Sequence, residues 1–267
     1  MWAVAQGVAA AAATHPDYLV LTDADVVHAP DSVSQLIAKA EEGPFDLVSL
    51  MVLLRTESLA EKALIPAFVF FFLMLYPPAS IENPNSRTAG AAGGCMLIRR
   101  EMLERIGGIE TIRGELIDDC ALARAVKRCG GKVWLGLTHD TRSIREYGGF
   151  TGIWEMISRT AFTQLNYSPI LLCGTLAGLT ITYLAPPLLA LTFQPVAASL
   201  GIAAWLLMSI AYAPILRFYR RPLFWAPALP LIALFYAAAT IDSAVRYWTG
   251  RGGTWKGRAQ ALRTRAE

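Results

Sequence analysis

The stretch Tyr18-Leu19-Val20-Leu21-Thr22-Asp23-Ala24-Asp25 sets a short apolar run against two carboxylates one residue apart. An apolar run bounded by polar residues reads as a buried strand. At the carboxyl end of a strand in an α/β sheet, side chains face the crevice where ligands bind. On a strand-like backbone, residues two apart point the same way, so Asp23 and Asp25 can share one divalent cation. That is one way for an enzyme to grip a nucleotide diphosphate. An Asp-rich turn gives the same letters, so the pair gains meaning only from its surroundings.

Outward from this stretch the first half alternates helix-like and strand-like segments, which predicts a mostly parallel sheet with crossover helices. An Ala-rich opening helix leads into the strand at Tyr18. It lacks the basic start and long apolar core of a signal peptide. Pro30-Asp31-Ser32 opens a helix over 32–42, with Ser32 and Gln35 at capping-box spacing and Gly43-Pro44 as its stop. Strands follow at 45–54 and 94–98, and Gly107-Gly108 ends a helix over 100–106. Asp118 or Asp119 caps a helix running to Cys129, and 132–137 is a further strand.

The second acidic pair, Ile117-Asp118-Asp119, thus opens a helix. A carboxylate there stays ionised because the backbone N–H groups and the helix dipole favour its charge. It can then take a proton from an acceptor hydroxyl that attacks a sugar carbon. Asp118 is read equally well as a simple N-cap, which leaves Asp119 as the better candidate base. Gly93-Gly94 permits a close backbone approach to a ligand or a tight turn. Arg99 and Arg100 read as a solvated helix start, and His15, His28 and His139 are too scattered for a metal triad.

The second half belongs to a membrane. Residues 160–216 contain no Asp, Glu, Lys or Arg, more than one span of about 20 residues needs. The stretch breaks at Pro186-Pro187 and Gln194-Pro195 into helices over 169–193 and 196–216. A second charge-free stretch, 222–241, is long enough for a third span despite Pro227 and Pro230. The apolar segment 63–76 is too short to cross, and reads as a core or interfacial helix. Residues 154–162 mix aromatics with Glu155 and Arg159 and are expected along the membrane surface.

Basic residues cluster at Arg217, Arg220 and Arg221, and again at Arg251, Lys256, Arg258, Arg263 and Arg265. Such clusters mark the cytoplasmic face. Three spans put the two clusters on opposite faces, so either one segment is re-entrant or the rule fails at one of them. Cys95, Cys120, Cys129 and Cys173 show no C-x-x-C or zinc spacing, which fits reduced thiols in a cytoplasmic domain. The expected division is a soluble domain over 1–150, an interfacial segment over 151–167, about three membrane helices over 168–245, and a basic tail over 246–267.

The order T-D-A-D, G-G-C-M-L-I-R-R, I-D-D at a helix start and then membrane helices resembles the membrane-bound family 2 glycosyltransferases of the GT-A fold. Longer strings are similar to the hopanoid-biosynthesis-associated glycosyltransferases of bacteria: L-V-S-L-M-V, I-P-A-F-V-F-F-F, L-I-D-D-C-A-L-A, R-T-A-F-T-Q-L and G-R-G-G-T-W-K-G-R. The resemblance implies a Rossmann-like α/β GT-A domain followed by transmembrane helices in the bacterial inner membrane, multi-pass, with the catalytic domain cytoplasmic. It implies Asp23 and Asp25 as the site for Mg²⁺ or Mn²⁺ and the donor diphosphate, and Asp119 as the base. A nucleotide-sugar donor and a membrane lipid acceptor are the expected partners, with inversion at the anomeric carbon and no nucleic acid.

Arg159 falls where processive relatives carry Q-x-x-R-W, with Met156 and Thr160 replacing the Gln and Trp. Trp255, Lys256 and Arg258 are read as closing over the donor phosphates or as a juxtamembrane anchor. Only seventeen residues precede Tyr18, where family members carry further nucleotide-binding strands, so the domain is expected to be N-terminally truncated with an exposed sheet edge. Two alternatives are an inactive or partial membrane protein and a haloacid-dehalogenase-like phosphohydrolase, which also places D-x-D after its first strand.

Overall fold

In the computed structural model residues 2–251 are described, together with the backbone at 254, 255, 258 and 259. The chain divides into two compact units, Met1–Arg55 with Phe72–Glu146, and Thr56–Phe71 with Tyr147–Glu267.

The first unit carries α1 (Trp2–Ala12), β1 (Tyr18–Thr22), β2 (Val26–His28), α2 (Ser32–Glu42) and β3 (Leu47–Leu53). After α3 (Leu59–Leu75), most of which belongs to the second unit, come α4 (Pro78–Glu82), β4 (Cys95–Arg99), α5 (Arg100–Arg105), α6 (Asp118–Arg128) and β5 (Val133–Ser143). The sheet order is β1-β4-β3-β5-β2. It is a mixed sheet, which corrects the mostly parallel one expected. Only β3 and β5 pair in parallel, and β4 lies antiparallel between β1 and β3. The reason is the excursion between β3 and β4: it brings the chain back at the end where β3 left, so β4 must run backwards. β1, β3 and β5 still share one direction, and β1 is an edge strand with β4 as its sheet neighbour.

Register explains the core. Val48 faces Leu97 and Trp134 across the ladder, and this face packs Cys95, Leu97 and Val48 under Leu36 and Ala40 of α2. The opposite face carries Leu47, Ile98 and Val133, all fully buried. A central strand covered on both faces has to be apolar at consecutive positions, which is why Leu47-Val48-Ser49-Leu50-Met51-Val52 reads as a run.

Two helix starts differ from expectation. Ser32 is the first helical residue rather than a cap; Asp31 takes that place, accepting from Gln35 Nε2 at 2.6 Å and, through its carbonyl, from Gln35 N–H at 3.0 Å. For α6 the capping position is Ile117, and both aspartates lie inside the first turn. A capping box does form at α3, where Glu61 Oε2 accepts from Ser58 N–H at 3.0 Å and Ser58 Oγ accepts from Glu61 N–H at 3.2 Å.

That box starts the apolar helix at Leu59, ahead of the expected 63–76. Together with α4 behind it, Leu59–Glu82 covers 24 residues at a mean hydropathy of 1.9, enough to cross a membrane by length and composition. Sheet continuity argues against a crossing: β3 before it and β4 after it are hydrogen-bonded neighbours, so the chain leaves and returns on one side.

The second unit holds α7 (Gly149–Gln164), α8 (Pro169–Leu179), a π-helical turn Thr180–Leu184, α9 (Ala185–Ala190), α10 (Pro195–Phe218), a 3₁₀ segment Leu223–Ala228 and α11 (Leu229–Trp248). A short ladder pairs β6 (Thr254–Trp255) with β7 (Arg258–Ala259). The π turn precedes Pro186 and Pro187, which have no N–H to continue the helical ladder, and Ala185 N–H reaches back to Thr180 O. Pro169–Ala190, Pro195–Phe218 and Leu223–Trp248 are each long and apolar enough to span. Ile170, Leu191, Leu207 and Leu231 of this unit point outward, each more than two thirds exposed, the arrangement that suits lipid as the solvent. α7 packs on α11: Trp154 Nε1–H donates to Asp242 Oδ2 at 2.7 Å, and Phe162 N–H to Ser243 Oγ at 3.0 Å.

Candidate active site

The carboxyl ends of β1, β3 and β5 and the start of β4 meet at one end of the sheet, with Thr22 opposite Cys95. Four carboxylates gather there. Asp23 and Asp25 sit in a tight turn between β1 and β2, closed by Val26 N–H donating to Asp23 O at 3.3 Å, rather than on the extended backbone expected. The turn still keeps them close enough for the Asp25 charge to act on Asp23. It is tied down on both sides: Asp23 N–H donates to Gly94 O at 3.3 Å, and Ile144 N–H to Asp25 O at 2.9 Å. Thr22 Oγ1 donates to Gly94 O at 3.0 Å and lies 2.9 Å from His28 Nε2. Because the hydroxyl proton is used on Gly94, His28 must donate from Nε2, which fixes its tautomer.

Burial pushes the Asp23 carboxyl above its ordinary range, the charges of Asp25 and Asp118 push it further, and the Arg145 guanidinium pulls it back. A crowd of negative charge relieved by a cation is the electrostatic setting of a divalent-metal site. Among the described residues there is no group of three or more His, Cys, Asp or Glu side chains able to hold a metal alone. Two carboxylates nevertheless fit Mg²⁺ or Mn²⁺, since such ions commonly take one or two protein carboxylates and complete their shell with substrate phosphates and water.

Asp119 is gripped by the backbone. Its Oδ2 accepts from Gly93 N–H at 2.8 Å and its Oδ1 from Cys120 N–H at 2.7 Å, which leaves further lone pairs on both oxygens. Its carboxyl is pushed up to about 6 by burial, with the Asp118 charge adding and the two N–H bonds opposing. A helix start favours a fully ionised carboxylate; desolvation outweighs that here and leaves a carboxyl whose proton affinity lies near neutral pH. Burial, with the adjacent Asp119 charge, pushes the Cys120 thiol up to about 12, so it is no nucleophile.

The loop holding Gly93 is anchored along α6. Cys120 Sγ–H reaches Ala91 O at 3.5 Å, and Ala92 exchanges hydrogen bonds with Ser49 Oγ at 2.8 and 3.1 Å. At the far end of the helix, Lys127 Nζ donates to the carbonyls of Asn83, Ser86 and Thr88 at 2.8–3.1 Å and to that of Ser80 at 3.4 Å. Gly93 cannot carry a side chain cheaply, because a Cβ there would lie 3.2 Å from Asp119 Oδ2.

Sequence reading missed Arg145 and Lys127. Arg145 stands just past β5, beside Ile144, in a stretch whose only signal was a cation following a strand. Lys127 lies in the last turn of α6, where a cation is common and carries no special signal. Arg99 and Arg100 are structural, pairing with Glu41 at 3.0 Å and Glu104 at 2.7 Å. Arg159 lies on α7 in the second unit, apart in sequence and unit from the acidic cluster. The backbones of Trp255 and Arg258 pair across the β6–β7 ladder, while Lys256 lies outside the described residues.

A model of glycosyl transferase family 21 matches residues 3–266. No curated protein sequence matches the chain. Among solved structures, a similar one is the mannosyltransferase PcManGT from Pyrobaculum calidifontis in complex with GDP-Man and Mn²⁺, with a TM-score of 0.44 and 18% identity. The match covers 89% of this chain and 64% of that one, so this chain spans less than two thirds of that protein's length.

Proposed function

The chain belongs to glycosyl transferase family 21, and from that premise we propose that it moves a sugar from a nucleotide-sugar donor onto a hydroxyl of a membrane lipid. The observation that carries this reading is the pairing of a metal-ready acidic turn, Asp23 and Asp25, with a backbone-gripped carboxyl, Asp119, whose affinity for protons sits near neutral pH. The first holds a diphosphate and the second accepts a proton.

Asp23 and Asp25 would hold Mg²⁺ or Mn²⁺, which when bound would supply Lewis-acid neutralisation of the diphosphate charge. Arg145 stands beside Asp23 as a second positive partner for the phosphates. Asp119 accepts the proton of the lipid hydroxyl as its oxygen attacks the anomeric carbon, and Gly93 N–H and Cys120 N–H keep the carboxylate aimed. In-line attack inverts the anomeric configuration. Arg159, Trp255, Lys256 and Arg258 are proposed to assist donor binding.

The resemblance of the longer sequence strings favours a hopanoid-type acceptor, a GT-A-like nucleotide-binding sheet and a bacterial plasma-membrane location with the sheet on the cytoplasmic side. The family match leaves the phosphohydrolase alternative without support. Incubating membranes that contain the protein with a panel of labelled nucleotide sugars, and following label into extracted lipid with and without a chelator, tests the proposal. Metal-dependent labelling of a lipid is expected; label that enters no lipid with any donor overturns it.

A further inference from the structure

Direction can be assigned to each helix of the second unit from its side-chain contacts. At one end, Tyr167, just before α8, stacks on Tyr247 of α11, rings 4.4 Å apart. Further along α8, in the π turn, Tyr183 meets Phe71 at 5.5 Å, and Phe71 also meets Tyr236 at 5.0 Å. Residue numbers rise along α8 as they fall along α11, so those two helices are antiparallel. Along α10, Trp205 Nε1–H donates to Pro227 O at 3.0 Å, while Tyr212 meets Phe70, the neighbour of Phe71, at 5.2 Å. Here 205 goes with 227 and 212 with the level of 236. α10 and α11 are therefore parallel.

Consecutive parallel helices force the segment between them to run back. From Arg217 to Trp205 is twelve residues of helix, about 18 Å, and residues 219–227 have to retrace that length to bring Pro227 beside Trp205. The reversal begins sharply: Arg220 takes the left-handed conformation at φ 52°, and Arg221 N–H donates to Leu216 O at 2.8 Å, closing α10. The apolar part of α11, residues 229–241, is only about 20 Å long, against about 30 Å of hydrocarbon. Among these helices the turn at residues 191–194 marks the other end, where Gly201 lets α10 close on α9; a Cβ there would lie 2.5 Å from Ala190 N.

We propose that Leu223–Trp248 enters and leaves the membrane on one side, so that the helical unit crosses only twice, and that Arg217, Arg220, Arg221 and Arg251 form one basic rim seated on the anionic headgroups of that leaflet. The ends of α10 and α11 then lie together, which removes the conflict between two basic clusters and an odd number of spans. Arg217, Arg220 and Arg251 are exposed, and Arg246 is already engaged by Asp242 at 2.8 Å. The acidic groups on the helices packed against these are Glu155 on α7, Glu61 on α3, which is buried and accepts from the Ser58 and Tyr147 N–H groups, and that same Asp242, so the rim keeps a net positive charge. Basic groups at a membrane surface attract acidic lipid over about a Debye length.

The topology is tested in the full chain with exposed Cys129 and Cys173 replaced by Ser, adding Arg217→Cys, Arg251→Cys or Gln194→Cys one at a time and labelling sealed vesicles with an impermeant maleimide. Positions 217 and 251 are expected to label from the same side and 194 from the other. Labelling of 251 together with 194 overturns the re-entrant assignment. Should the cysteine variants fail to fold, a reporter fused after Glu267 reads the same sidedness in the unaltered chain. The docking is tested by extracting the protein from mixed phosphatidylglycerol and phosphatidylcholine bilayers and measuring the lipid retained. Enrichment of phosphatidylglycerol by at least about fivefold over bulk is expected, falling to the bulk ratio in Arg217→Gln/Arg220→Gln/Arg221→Gln. Equal ratios in both proteins overturn it.

Discussion

Lowering the pH from 7 to 5 at saturating donor and lipid should cut kcat about tenfold, because the proposed base, Asp119, works only as a carboxylate. Its pKa of about 6, against an ordinary 3.8, comes first from burial. At pH 7 such a group is about nine-tenths ionised and at pH 5 about one-tenth, so the acidic limb should fall with unit slope and a midpoint near 6. The same shift has a stability sign. A carboxyl raised in the folded state binds its proton more tightly there than in the unfolded chain. Its favourable contribution is complete below about 4 and is lost as pH rises through about 6, with a size on the order of 3 kcal/mol. The active ionised form is thus held against the preference of its own site, and the Gly93 and Cys120 N–H groups limit that cost. The assay is steady-state transfer of labelled sugar to lipid from pH 4.5 to 8.5, with protein integrity checked at each end. A flat profile down to pH 5, or a limb centred near 4, would refute the reasoning.

Three substitutions probe the rest of the site. Gly93→Ala places a methyl 3.2 Å from Asp119 Oδ2 and should lower kcat about tenfold while leaving the donor KM unchanged, a split read directly from initial rates. Arg145→Ala should do the reverse, raising the donor KM about tenfold with little change in kcat; equal loss of both would remove Arg145 from donor binding. Lys127→Met strips the ammonium from its carbonyls and should cost about 1.5–3 kcal/mol, seen as a lower unfolding midpoint of the first unit and faster hydrogen exchange at residues 83–93.

Much of this architecture could be read from local chemistry. The apolar run before Asp23, the Gly-Gly stops and the charge-free stretches each act within a few residues, and the elements they predicted are present. What was hidden depends on partners distant in sequence. The reversed direction of β4 is set by where the chain returns after α3, and nothing in Cys95–Arg99 itself encodes it. Asp23 and Asp25 looked like residues of an extended strand because alternation was the only geometry their spacing suggested, whereas Gly94 and Ile144 pull them into a turn. Helix α3 outgrew its apolar core because Ser58 and Glu61, both polar, extend its start. The elevated proton affinity of Asp119 follows from burial, which a helix-start pattern does not reveal, and the same is true of the role of Lys127, whose carbonyl partners lie 39 to 47 residues away.

The most direct test is Asp119→Asn in the lipid-labelling assay with the donor that labels wild type. Transfer should be abolished, while membrane insertion and metal-dependent donor binding persist, because the turn at Asp23 and Asp25 proposed to hold the metal is untouched. Full sugar transfer by this variant would contradict the account.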